Sequence, residues 1–234
     1  MTDATHSWPP RAVVFDLDDT LYLERDYIHS GYAAVAAKMA PGGGEADVLA
    51  RWMWERFEAG SSARMFDAVN EHFALHLSPE QLAELVEVYR CHRPHIEPEP
   101  EAARALAALM NRTRLGLLSD GFLPAQQFKL EALRLSSAFA AVVFTEELGR
   151  QFWKPDPAGF HLIAGRLGVP HADCAYVADN LSKDFVAPNA LGWRTVLWRR
   201  PGQIHVETAA PAGGTPQFIA ADHRQLLAAL GWGS

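Results

Sequence analysis

Short apolar runs separated by longer amphipathic stretches constrain this chain more than any other feature. Ala12–Phe15, Leu115–Leu118, Ala141–Phe144, Ala175–Ala178 and Thr195–Trp198 are each four residues long and almost wholly apolar. Runs that short, bounded by turn residues, read as buried strands. Between the later runs lie amphipathic segments: Glu101–Met110, Pro124–Leu135, and one that opens at Asp156-Pro157 and is stopped by Gly168. Alternation of this kind predicts βαβ units and an α/β fold with a parallel sheet. Residues 201–216, rich in Pro, Gly and Ala, read as a long loop, followed by a last short strand at Phe218-Ile219 and a terminal helix over Asp222–Leu230.

The first strand is cut off from the rest by residues 24–92, which read as helical throughout. Asp26–Ala40 is a first helix, ended by Pro41-Gly42-Gly43-Gly44. Val48, Leu49, Trp52, Met53 and Phe57 recur at helical spacing, as do Met65, Phe66, Val69 and Phe73. Ser78-Pro79-Glu80-Gln81 then supplies an N-cap, a Pro at the first helical position and a capping-box Gln. Pro94–Pro100 reads as a stiff return linker. The division expected is therefore a core of residues 1–23 and 95–234 with an inserted helical bundle, 24–94. Inserted after the first strand, the bundle lies over that strand's carboxyl end, where it excludes water and selects substrates.

With 234 residues, 49% of them hydrophobic, the chain has enough apolar sequence for a sizeable core. A net charge of −7 argues against a general nucleic-acid binder. Cys91 and Cys174 lie far apart in no metal-ligand spacing, as in a protein of a reducing compartment. Met1–Pro10 holds no apolar signal segment, and no stretch is long and apolar enough to span a membrane. A cytoplasmic protein without membrane partners is expected, as a monomer or homodimer.

Polar groups collect where the apolar runs end. Asp16-Leu17-Asp18-Asp19-Thr20 follows the first run, Ser119-Asp120-Gly121 the second, Lys154 lies a few residues beyond the third, and Asp179 follows the fourth with Asp184 five residues on. Taken alone, the first stretch fits an acidic turn as well as a catalytic loop. In a parallel sheet, however, these strand ends share one edge, where ligands bind. Two like charges 4 Å apart repel by about 4 kcal/mol at an effective dielectric near 20, so such a cluster must protonate or hold a cation. Hard carboxylate oxygens without His or Cys favour Mg2+ over zinc. Ser119, the amides after it and Lys154 could then hold the oxygens of a phosphate.

This order of motifs resembles the haloacid dehalogenase-like hydrolase superfamily over essentially the whole chain. Asp16–Thr20 resembles its first motif, Leu117–Gly121 the second, Lys154-Pro155-Asp156-Pro157 the third, and Asp179 with Asp184 the fourth. The helical insert resembles the cap of the subgroup that includes phosphoglycolate phosphatase and β-phosphoglucomutase. The resemblance implies a Rossmann-like core and a Mg2+-dependent phosphatase acting on a small phosphorylated metabolite. It implies Asp16 as the nucleophile and a metal ligand, and Asp18 as the acid and base, ligating the metal through its backbone carbonyl. It also implies Thr20, Ser119, Asp120, Gly121 and Lys154 around the phosphate, with Asp179 and Asp184 at the metal. Ala178 stands where relatives often carry Gly, a change that costs little if its φ is negative. Pro188 predicts that a helix expected from Ser182 is short, kinked or late.

Rival readings are a phosphomutase, a phosphonate-cleaving enzyme, a dehalogenase and a non-catalytic binding or regulatory protein on the same fold. Dehalogenases resembling this chain lack an acidic residue at the position of Asp18. Phosphonate cleavage needs a lysine in the insert, where Lys38 reads as a solvated helix residue. A mutase needs a second phosphate site, for which Arg25, Arg51, Arg56, Arg64, Arg90 and Arg93 are the candidates. His72 and His76 read as ordinary helix residues and Trp52 and Trp54 as flanking the insert's core. His92 and His95 flank the return linker and are candidates to face the cleft. Trp153, next to Lys154, is a candidate substrate contact.

Overall fold

The computed structural model describes residues 9–41, 43–206 and 209–233. The N-terminal segment Met1–Trp8 and Gly42 of the first helix-ending glycine run lie outside the described residues, as do residues 207 and 208 of the long loop. Six strands, β1 (Ala12–Phe15), β2 (Arg114–Ser119), β3 (Ala141–Phe144), β4 (Cys174–Ala178), β5 (Arg194–Trp198) and β6 (Phe218–Ala220), form one sheet. Every pairing is parallel and the spatial order is β3-β2-β1-β4-β5-β6. Phe15 is opposite Leu117 on one side and Val177 on the other. Asp16, Ser119 and Asp179 therefore leave the same edge from adjacent strands.

The strand period of two sorts the core into layers. Val13 and Phe15 face a cluster with the helices α5 (Pro100–Leu109), α6 (Ala125–Ala132) and α9 (His223–Ala229). Ala12 and Val14 face the opposite layer, with α7 (Ala158–Leu167) and α8 (Val186–Ala190). Gly168, in the left-handed region at φ 63°, terminates α7. Where a helix from Ser182 was expected, α8 starts only at Val186 and holds Pro188 in its first turn, since a proline further in would break the ladder. Ala178 ends β4 without a positive φ, so its methyl is unstrained.

Four further helices, α1 (Glu24–Met39), α2 (Gly44–Glu58), α3 (Met65–His72) and α4 (Pro79–Cys91), build their own core from Tyr32, Val35, Leu49, Met53 and Leu85, among others. The Ser78–Gln81 capping box at α4 is formed in both directions. Trp52 and Trp54 flank this core. His72 ends α3 and stacks on Trp52 at 4.6 Å between ring centroids, whereas His76 lies beyond the helix at φ 56°, so the two do not share a helical face. His92 fastens the end of α4 to α1 by bonding Ser30 and the Tyr89 carbonyl, 3.1 and 2.6 Å away. Lys38 pairs with Glu84 at the surface.

Gly31 lets α1 approach α4. A methyl at that position would lie 2.6 Å from Tyr89 Cδ2 and 3.2 Å from His92 Cε1. Gly31→Ala is expected to destabilise the protein by about 1–3 kcal/mol through overpacking, read as a lower urea midpoint. Unchanged stability would show that this contact is loose.

Candidate active site

Asp16 is the first residue beyond β1, and its amide donates to the Val177 carbonyl (3.0 Å), fixing it between the ends of β2 and β4. Lys154, almost fully buried, donates to Asp16 Oδ1 (2.9 Å) and the Tyr176 hydroxyl (3.0 Å), and pairs with Asp184 Oδ1 at 2.7 Å. Although burial alone would lower it, Asp16 and Asp184 hold the Lys154 ammonium well above its ordinary value. Burial pushes the Asp16 carboxyl up to about 7, against the pull of Lys154 and with the help of Asp184. Burial and Asp184 likewise raise Asp179 well above the carboxylate range.

Asp16, Asp179 and Asp184 each present an oxygen, all within 4.8 Å of one another. Asp179 Oδ2 is buried with no hydrogen-bond donor. A buried carboxyl oxygen with no donor, facing two more carboxyls, is costly unless a proton or a cation meets it. All-oxygen donors of this kind fit a hard divalent ion such as Mg2+.

The Asp18 side chain is not in this cluster. It points toward α6, where Oδ1 accepts from Lys129 Nζ (2.8 Å) and the Tyr22 hydroxyl, and Oδ2 from Gln126 Nε2 (2.8 Å). Burial works to raise its pKa, but Lys129 and these hydrogen bonds prevail and lower it. Asp19 adopts φ 50°, a left-handed conformation that Asp tolerates. Its two oxygens accept from the amides of Glu24 (2.8 Å) and Ile204 (2.6 Å), locking the loop to the start of α1.

The remaining candidates divide. Ser119 Oγ accepts from Gln126 Nε2 at 2.8 Å. Gly121 has φ 137°, and a side chain there would collide with Gln126. Asp120 and Gly121 line the cavity, but the Asp120 carboxylate braces the site, accepting from Thr145 Oγ1 (2.7 Å) and the Lys154 amide (3.2 Å) and pairing with Lys183 (3.4 Å). Thr20, expected at the phosphate, is fully buried and donates to Asp179 Oδ1 (3.4 Å); like Ser119, it is not among the residues that line the cavity.

A cavity of about 410 Å³ opens over Asp16 and Asp18. Glu24, Tyr27, Val86, Tyr89 and Arg90 of the helical insert line one side, and Phe122, Lys129, Trp153 and Lys183 the other. Burial and the charge of Asp18 push the Glu24 carboxyl up to about 8. Phe122 is flanked by the guanidinium groups of Arg90 and Arg150, 3.9 and 4.3 Å from its ring centroid. Of the six insert arginines only Arg90 lines this cavity; Arg25, Arg64 and Arg93 pair with Glu58, Asp67 and Glu131.

Sequence reasoning missed Tyr22, Gln126, Lys129, Tyr176 and Lys183. One signal was available for two of them. Gln126 and Lys129 fall three residues apart, on one face of a helix that starts just after Ser119-Asp120-Gly121. Both are buried, which polar helix residues are only when partnered.

The haloacid dehalogenase-like hydrolase family matches residues 10–192. The chain belongs to this family. It is 31% identical over 198 residues to a glyceraldehyde 3-phosphate phosphatase of Methanopyrus kandleri, covering 81% of this chain and 84% of that one. It is 29% identical over 136 residues to the human N-acylneuraminate-9-phosphatase, covering 58% and 53% of the two chains. Its fold superposes with a TM-score of 0.64 on a predicted phosphoglycolate phosphatase of Haemophilus somnus, at 19% identity and over 95% of this chain and 98% of that one.

Asp16 is raised from an ordinary 3.8 to about 7, so between these values the folded state holds a proton that the unfolded state has lost. Its contribution to stability is complete below 3.8 and disappears as pH rises through about 7. The melting temperature of EDTA-treated protein is expected to fall from pH 5 to pH 8, less steeply in Asp16→Asn. Identical slopes would contradict the burial of an ionisable Asp16.

Proposed function

We propose that the protein is a Mg2+-dependent phosphatase that hydrolyses a small phosphorylated metabolite through an aspartyl-phosphate on Asp16. One observation carries this reading: a lysine-braced carboxylate, Asp16, lies beside an orphaned carboxylate oxygen of Asp179, with a second carboxyl, Asp18, two residues on. Asp16, the Asp18 backbone carbonyl, Asp179 and Asp184 would hold Mg2+, which supplies positive charge opposite the phosphoryl oxygens.

In the first step an Asp16 oxygen attacks phosphorus and the bond to the leaving oxygen breaks. The leaving oxygen takes the proton of the Asp18 carboxyl. In the second step a water oxygen attacks phosphorus, the bond to Asp16 breaks and its electron pair returns to the Asp16 carboxylate. Asp18 takes the water's proton and is restored. Lys129 and its fellow donors favour the ionised form of Asp18 that the second step uses. The negative charge of an entering phosphoryl group favours the protonated form that the first step uses. Lys154 and the amides after Ser119 stabilise charge on the transferring group, where positioning and electrostatics do most of the work.

The cavity's polar wall (Glu24, Arg90, His205) and its rings (Tyr27, Tyr89, Trp153) suit a hydroxylated metabolite of sugar-phosphate size. The named relatives, a glyceraldehyde 3-phosphate phosphatase and an N-acylneuraminate-9-phosphatase, support that class. A mutase would need a second phosphate site, and Arg90 is a thin basis for one. Asp18 argues against dehalogenation, which has no leaving oxygen to protonate.

Phosphate release from a panel of sugar and polyol phosphates is expected with Mg2+, and to fall at least about 100-fold with EDTA or in Asp16→Asn. Release that survives in Asp16→Asn would overturn the covalent route. A second expectation concerns the metal alone. Mg2+ should raise the melting temperature of the wild type and leave that of Asp179→Asn unmoved; equal shifts would place the metal elsewhere.

A further inference from the structure

Asp18 must hold one orientation through two proton transfers, and its surroundings show how. Its carboxylate takes donors from Tyr22, Gln126 and Lys129, and of these Lys129 alone carries charge. The Lys129 side chain is only 6% exposed, so its ammonium depends on partners within the protein. On the sheet side that partner is Asp18 Oδ1, 2.8 Å away. On the other side it is the face of the Tyr27 ring, whose centroid lies 4.1 Å from Nζ.

Tyr27 belongs to α1, the first helix of the insert. Its hydroxyl donates to the Tyr89 carbonyl of α4 (3.1 Å), and the two rings meet edge to face at 5.4 Å. A continuous path of contacts therefore runs from the proton-carrying carboxyl through Lys129 into the packing of the insert.

We propose that Lys129 is a positioning residue that fixes the Asp18 carboxyl for its two proton transfers and, through the Tyr27 ring, makes that orientation depend on the seated helical insert. The proposal rests on the phosphatase reading above. Without Lys129, the Asp18 carboxyl loses the one charged donor among its three and is held by the neutral Tyr22 hydroxyl and Gln126 amide alone, a weaker hold on its orientation toward the leaving oxygen and the water. Without the Tyr27 ring, the ammonium loses its direct contact on the insert side and keeps there only the more distant charge interaction with Glu24.

The two steps separate experimentally with p-nitrophenyl phosphate. Its P–O bond breaks with the electron pair leaving on p-nitrophenolate, which needs no proton, so only the later attack of water depends on Asp18. Stopped-flow mixing of Lys129→Met with this ester and Mg2+ is expected to show a burst near one p-nitrophenolate per active site. Steady turnover should then run about 100-fold below wild type, within the range that general acid–base catalysis supplies. On an alkyl phosphate, kcat should fall by a similar factor with little change in KM. Lys129→Arg, which keeps the charge, should recover part of the steady rate. Tyr27→Leu should show the same burst with about a tenfold slower steady phase.

Loss of burst and steady phase in proportion, at an unchanged melting temperature, would overturn the positioning role, as would wild-type turnover in Lys129→Met. A Tyr27→Leu variant with an unaltered steady phase would overturn the link to the insert. Wild type silent on both esters would remove the phosphatase reading and this proposal with it. Activity in wild type that vanishes in Asp16→Asn keeps that reading intact, so a negative result at Lys129 then counts against Lys129 alone.

Discussion

The Lys154 ammonium is the charge around which the site is assembled. It lies 2.9 Å from Asp16, 2.7 Å from Asp184 and 3.0 Å from the Tyr176 hydroxyl, out of reach of water. Those partners come from the end of β1, the loop beyond β4 and the inside of β4. One buried cation thus ties the third motif to the first and fourth. Removing it would leave carboxylates facing one another in a medium where their repulsion is little screened. The same ammonium reaches Asp16 and Asp184, and Asp179 beside them keeps an oxygen with no donor. Packing, charge and chemistry are here one arrangement, and the parallel sheet exists as its frame.

Much of the frame was legible in the sequence because four-residue apolar runs leave little choice. Ala141–Phe144 is a strand with those same bounds, and the capping box at Ser78 is formed as its residues imply. The motif residues at strand ends were legible too, since parallel pairing brings the ends together whatever the distance along the chain. The partners of Asp18 were harder to find. Lys129 lies 111 residues away, in a segment where alternating Gln, Lys and Glu look like an ordinary solvated helix. Lys183 similarly reads as a surface residue between Ser182 and Asp184, yet it lines the cavity and pairs with Asp120. Thr20, whose place in the motif indicates the phosphate, is buried in this structure with its hydroxyl on Asp179, a partner that its position in the chain does not announce.

Helical spacing also failed locally. His72 and His76 have the separation of neighbours on a helix, and the chain leaves the helix between them. Spacing is informative only while the backbone keeps its period, and a segment such as Phe73–Leu77, apolar but for His76 and with no glycine or proline, carries no mark of where that period ends.

Arg200 joins the two ends of the helical insert. Its guanidinium, buried beyond β5, donates to the carbonyls of Asp19 (2.9 Å) and Thr20 (2.7 Å) on the way into the insert, and pairs with Glu99 on the way out. The Glu99 amide also donates to the Leu21 carbonyl (2.9 Å), so both crossings meet at one point. Further along, α1 is fastened to the core again, at the Glu24 amide, which donates to Asp19, and at the Tyr27 ring, on which the Lys129 ammonium rests. The insert residues that line the cavity nearest the catalytic groups thus belong to the stretch of α1 that the core holds, and Arg93 with Glu131 adds a tie from the end of the insert.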